Sequence, residues 1–120
     1  MNLPVPLEYW STVRAGLVEA LDKITDEQLA FAPAEGLWPL GQVALHIASA
    51  EEGWLRHVVA GELPDWPTEY KLADHPTVAA VKQVLAETHA RTEAYLASLD
   101  EAALERIIEA AWGGKFPIRW

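Results

Sequence analysis

The sequence predicts one all-α domain, a helical bundle with an extended crossover between its second and third helices. Three observations predict it. Apolar residues recur at three- and four-residue steps along three long segments, the pattern of helices that bury one stripe. Prolines gather between those segments, at Pro33 and Pro39 and again at Pro64, Pro67 and Pro76. The stretch from Gly61 to Pro76 has no helical period and is too long for a tight turn. A chain of 120 residues is the size of one domain, so residues 1–120 are read as a single unit with one core.

The first helix covers about residues 6–24, because Trp10, Val13, Leu17, Leu21 and Ile24 fall on one stripe. Thr25 followed by Gln28 is a capping-box start for a further turn, Asp26 to Phe31. The second helix covers about 40–60, with Leu40, Val43, Ala44, Ile47, Trp54, Leu55 and Val58 on one face and Gly61 just beyond its end. About 15 extended residues reach on the order of 50 Å, while a helix of this length spans about 30 Å. The linker can therefore return the chain along the bundle, so that the next helix runs parallel to the second. That third helix covers about 76–99, opening on Pro76 and repeating Val78, Val81, Leu85, Thr88, Thr92, Tyr95 and Leu99. Asp100 caps a short fourth helix, about 100–111, ended by Trp112, Gly113 and Gly114. Phe116, Ile118 and Trp120 then stand on a segment too short to bury them, and need another element or a second copy as cover.

Composition excludes several functions. With 18 acidic against 9 basic side chains the formal charge is −9, which repels nucleic acid and anionic membrane surfaces. No run of about 18 uncharged apolar residues could span a bilayer, and Met1 to Leu7 does not read as a secretory signal. Zero cysteines remove disulfides, thiolate nucleophiles and Cys-ligated zinc. A cytoplasmic setting is the expectation, with His and carboxylates as the metal ligands available.

His46 is the leading functional candidate. On a helical wheel it sits about 100° from Ile47, on the flank of the apolar stripe, as either a boundary histidine with one hydrogen bond or a metal ligand in need of others. Glu51 falls about 40° from Ile47, inside that stripe, and a buried carboxylate needs a partner. It either pairs with an Arg or a Trp indole N–H, or it orients a ligand or acts as an acid/base with a raised pKa. His57 lies about 16 Å from His46 along the helix and is expected at the surface. His75 reads as loop and capping chemistry. His89 faces the bundle interior, but parallel helices would offset it from His46 by about 9 Å, which argues against a joint site. Ser11, Ser49 and Ser98 have no evident base and orienting group, and no HExxH, GxSxG, Walker or EF-hand motif occurs.

The order Leu29, Pro33, Trp38, Gln42, Val43, His46, Ile47, Glu51 and Gly61 resembles the DinB/YfiT-like superfamily over nearly the whole chain. The resemblance implies an up-down-down-up four-helix bundle, often a homodimer, that holds a divalent metal (zinc, nickel or iron) through three histidines. One ligand maps to His46, with Glu51 as a supporting group. The other two would come from an HxxxH on the last helix, and the histidines here are spaced 11, 18 and 14 residues apart. The expectation is therefore a bundle without its fourth helix and with two of three ligands absent. Its relatives would be metal-dependent enzymes related to thiol S-transferases, acting on a small-molecule thiol. The alternative is a non-catalytic helical dimerisation module.

Overall fold

The computed structural model describes residues 5–119. Helix α1 runs Val5–Leu21, α2 Leu40–Glu52, α3 Val78–Ala97 and α4 Glu101–Leu104, followed by strands β1, Ile107–Glu109, and β2, Lys115–Pro117. A 3-10 turn at Glu27–Ala30 follows α1, and its capping box is formed in both directions: Thr25 N–H donates to Gln28 Oε1 at 2.9 Å and Gln28 N–H to Thr25 Oγ1 at 3.3 Å. The turn buries Leu29 completely and so closes the end of the bundle beneath α2.

The crossover lies along α2 and is bound to it. Gln42 donates from Nε2 to the Tyr70 carbonyl at 2.8 Å and accepts from the Leu72 N–H at 2.9 Å, while Ser49 Oγ accepts from the Tyr70 N–H at 3.0 Å. Two glycines make room for this strap. A Cβ on Gly41 would lie 2.6 Å from Leu72, and one on Gly53 would lie 2.4 Å from the Trp66 ring. Positions 66, 70 and 72 thus meet 53, 49 and 42, so the linker runs antiparallel to α2 and delivers α3 parallel to it. Core contacts agree: Ala44, Leu45 and Ala48 pack with Val81, Val84 and Leu85, and Leu55 with Leu96 and Leu99. Helix α1 is antiparallel to α3, with Asp22 paired to Lys82 at one end and Ser11 near His89 at the other. The three long helices follow the up-down-down order of the predicted bundle.

Several boundaries and faces differ from expectation. Helix α1 ends at Leu21, and Val13 is 70% exposed because Arg14 takes the inward position. The second helix has the expected extent, but its last part, Gly53–Val59, is π-helical, with Ala60 N–H bonded to Leu55 O five residues back. Its buried face is Gly41, Ala44, Leu45, Ala48 and Ser49, while Leu40, Val43 and Ile47 stay exposed. Helix α3 starts at Val78, with Thr77 as the cap accepting from Ala80 N–H, so Pro76 precedes the cap.

The largest correction is at the end of the described chain. Asp100 caps α4 as expected, accepting from Ala103 N–H at 2.7 Å, but the helix stops at Leu104 and does not reach Ala111. Ile107 and Ile108 begin a hairpin, since β-branched side chains fit a pleated surface and Gly113, at φ 97°, supplies the turn. The pairing is antiparallel, with Ile108 opposite Phe116. The hairpin gives the apolar end its cover within the chain: Ile118 packs on the Leu55–Leu104 cluster, and Phe116 lies 6.1 Å from Trp54. Trp120 lies outside the described residues. No long fourth helix occurs among them.

Candidate functional site

Helix α2 holds both sequence-predicted site residues and points them to different places. His46 faces outward, with its side chain 47% exposed. Its Nδ1–H donates to Glu69 Oε1 at 2.5 Å, and the Trp38 ring stands 5.0 Å away, centroid to centroid. Glu69 is on the crossover, one residue before the Tyr70 that Ser49 and Gln42 hold, so the strap's docking onto α2 presents the carboxylate. A carboxylate acceptor on Nδ1 leaves Nε2 as the ring nitrogen free to accept or ligate, on a side chain that is half exposed. A histidine Nδ1–H on a carboxylate is a pairing that metal-ligating imidazoles commonly share.

Glu51 does not support His46. Its side chain is buried between the helices, where Arg14 of α1 ion-pairs with Oε2 and His89 Nδ1–H donates to Oε1 at 2.9 Å. The pairing with an Arg is formed, and the same carboxylate also holds His89. His89 Nε2 lies 3.2 Å from Ser11 Oγ and 3.1 Å from Glu93 Oε1, and Ser11 Oγ–H donates to Glu93 Oε1 at 2.9 Å. Burial lowers the His89 pKa; the Arg14 charge adds to that effect, and Glu93, by charge and hydrogen bond, opposes it. The imidazole is therefore held toward its neutral form. The expectation that Ser11 lacks a base and an orienting group is overturned, because α1 and α3 run antiparallel and bring residues 78 positions apart into contact. Sequence spacing carried no signal of that pair.

His46 and His89 are separate, as parallel packing requires. His57 is half-buried rather than at the surface, bound through Nδ1 to the Leu63 carbonyl at 3.0 Å and edge-on to Trp66. His75 packs against Tyr70 in the loop before α3. Sequence reasoning missed Glu69, and the only hint was its place in a linker predicted to lie along α2.

Among the described residues no group of three or more His, Cys, Asp or Glu side chains could hold a metal ion. His46 fits one ligand position, with Glu69 behind it. The described residues do not fit the three-histidine set. A cavity of about 490 Å³ opens beside the π-helical part of α2, but its charged groups answer one another: Arg56 and Arg91 both bind Glu52, and Arg56 also binds Glu62.

A family model described as the DinB superfamily matches residues 9–120. Among solved structures, a DinB-like protein from Bacillus cereus ATCC 10987 superposes with a TM-score of 0.71 at 22% identity, over 94% of this chain and 73% of that one. At that identity the likeness shows the fold alone. No curated protein matches the chain. The family match over nearly all of the sequence is decisive: the chain belongs to the DinB superfamily.

Proposed function

We propose that this chain contributes one ligand, His46 Nε2, to a divalent-metal site completed by donors from outside the described residues. The observation that carries the reading is the His46–Glu69 pair, which leaves Nε2 free to ligate on a half-exposed side chain. Zinc, nickel and iron are among the metals that suit an imidazole donor. Thiol transfer, the reaction class suggested by the sequence resemblance, would enter only through the completed site, and no step of it is derived from these residues. Plasma mass spectrometry of protein purified without chelator tests the reading. Wild type carries zinc, nickel or iron, His46→Ala loses it, and Glu69→Gln weakens binding by about 10- to 100-fold. Metal content unchanged in His46→Ala, or no metal in wild type, would overturn it.

A second reading, a helical module that associates with its own copy, is favoured by one observation. Val13, Leu40, Val43 and Ile47 leave an apolar face on α1 and α2 with no cover among the described residues. Phe116 and Ile118, for which the sequence called for another element or a second copy as cover, lie against Trp54 and the Leu55–Leu104 cluster.

A further inference from the structure

The Ser11, His89 and Glu51 constellation lies away from His46 and plays no part in the proposed metal site. It sets a hydroxyl beside an imidazole that a buried carboxylate orients, with the hydroxyl proton resting on Glu93. Glu51, 5% exposed, has one oxygen on the Arg14 guanidinium and the other on His89 Nδ1–H, so the carboxylate is fixed and the imidazole tautomer with it. That tautomer directs the Nε2 lone pair at Ser11 Oγ, 3.2 Å away. A hydroxyl beside a base, with the base oriented by a third group, is the arrangement that makes serine a nucleophile. The hydroxyl borders a cavity of about 440 Å³ between α1 and α3, lined also by Ala15, Val18 and Leu85, which is enough for a small ligand.

We propose that Ser11, His89 and Glu51 form an acyl-transfer site that takes activated esters of short carboxylic acids. Ser11 Oγ attacks the ester carbonyl carbon while its proton moves to His89 Nε2. The carbon–oxygen bond to the leaving group breaks, and that oxygen departs with the proton from His89. Water then attacks the acyl-serine by the same route in reverse, releasing the acid and restoring Ser11. Glu51 positions His89 and stabilises the imidazolium by charge, with Arg14 holding the carboxylate from α1. Two features limit the site to activated esters. The oxyanion develops toward the open cavity and is held by solvent, and Glu93 competes with His89 for the serine proton and opposes negative charge nearby. Glu93 is half exposed, so removing its side chain leaves the core intact.

The test uses p-nitrophenyl acetate with the full chain, following nitrophenol release and mapping the acetyl group by peptide mass spectrometry. One equivalent of nitrophenol is released in a burst, and the acetyl group is on Ser11. Ser11→Ala abolishes the burst, because no acyl-serine can form without the hydroxyl. Glu93→Ala raises the rate, because the hydroxyl proton then has His89 as its acceptor. Glu51→Gln slows the burst and moves its pH profile downward, since an imidazole without a carboxylate on Nδ1 loses its proton more readily. A purely structural network would give neither the Glu93 gain nor the shifted profile. Acetylation of lysine or another histidine in place of Ser11, or an undiminished burst in Ser11→Ala, would overturn the proposal.

Discussion

Two carboxylates adjacent in sequence, Glu51 and Glu52, are both buried on α2 and both answered by arginines, yet they belong to different networks. Glu51 reaches Arg14 and His89; Glu52 reaches Arg56 at 2.8 Å and Arg91 at 3.0 Å. Burial tends to raise the Glu52 pKa, but hydrogen bonds from Arg56 and Tyr70 and the charges of Arg91 and Arg56 outweigh it, so Glu52 titrates below its ordinary range. A carboxyl depressed in the folded state contributes stability above its unfolded pKa, about 4.3, and loses it as pH falls through the folded value. His89 acts in the same direction at higher pH. Its folded pKa is lowered, so below about pH 6.5 the unfolded chain takes up a proton that the folded chain does not, and stability declines. Urea midpoints from pH 8 to pH 3 should therefore fall in two stages, and His89→Gln should remove the upper one. A midpoint flat between pH 7 and pH 5 in wild type would contradict the His89 assignment. At this scale the sequence was half legible. The wheel placed Glu51 among buried residues and His46 at the border, but it could not pair Glu51 with Arg14 or Ser11 with His89, because those contacts depend on how three helices are set beside one another.

Helix α2 is defined as much by the strap lying on it as by its own periodicity. Gly53 sits under Trp66 with no space for a methyl group, while Gly16 of α1 has nothing within 4 Å of where its Cβ would be. The same substitution should therefore act with opposite sign at the two positions. Gly53→Ala displaces Trp66 and loosens the crossover, with an expected loss of about 1–3 kcal/mol. Gly16→Ala relieves the entropic cost of glycine in a helix and gains about 0.5–1 kcal/mol. Urea unfolding followed by far-UV dichroism measures both, and a neutral or stabilising Gly53→Ala would refute the close packing of the strap. Loosening it also withdraws Glu69 from His46, so metal uptake should weaken in Gly53→Ala with His46 intact. The long helices, the capping box at Thr25 and the cap at Asp100 were legible because each is local chemistry. The hairpin was not: Glu101 to Leu104 is strongly helical in pattern, and its continuation to Ala111 was broken by Ile107 and Ile108 finding a partner strand across Gly113, a pairing that no helical period registers.

Across the whole molecule, the placement of apolar side chains is lopsided. The face of α2 packed inward is mostly small, Gly41, Ala44, Ala48 and Ser49 around Leu45, whereas Leu40, Val43 and Ile47 face out beside Leu17 and Ala20 of α1 and Ile24 just beyond its end. Two antiparallel helices with an apolar groove between them can be covered by the same pair from a second copy about a two-fold axis, giving a four-helix layer. Each copy carries a charge of −9, so the apolar contact must overcome mutual repulsion, and salt should tighten association by screening it. Sedimentation at micromolar concentration is expected to show a dimer that strengthens from low to moderate salt. Val43→Lys combined with Ile47→Lys should give a monomer, whose unfolding free energy lies within about 0.5 kcal/mol of that of the dissociated wild-type chain, because both side chains are exposed within one chain. His46 is adjacent to Ile47 on this same helix, so a second copy seated there would bring its own donors against His46 Nε2. The two readings then make one joint prediction: the double lysine variant loses metal together with its partner, although His46 and Glu69 are untouched. A dimer that survives the substitutions would place the interface elsewhere, and a monomer that still binds metal would mean that the missing donors come from within its own chain.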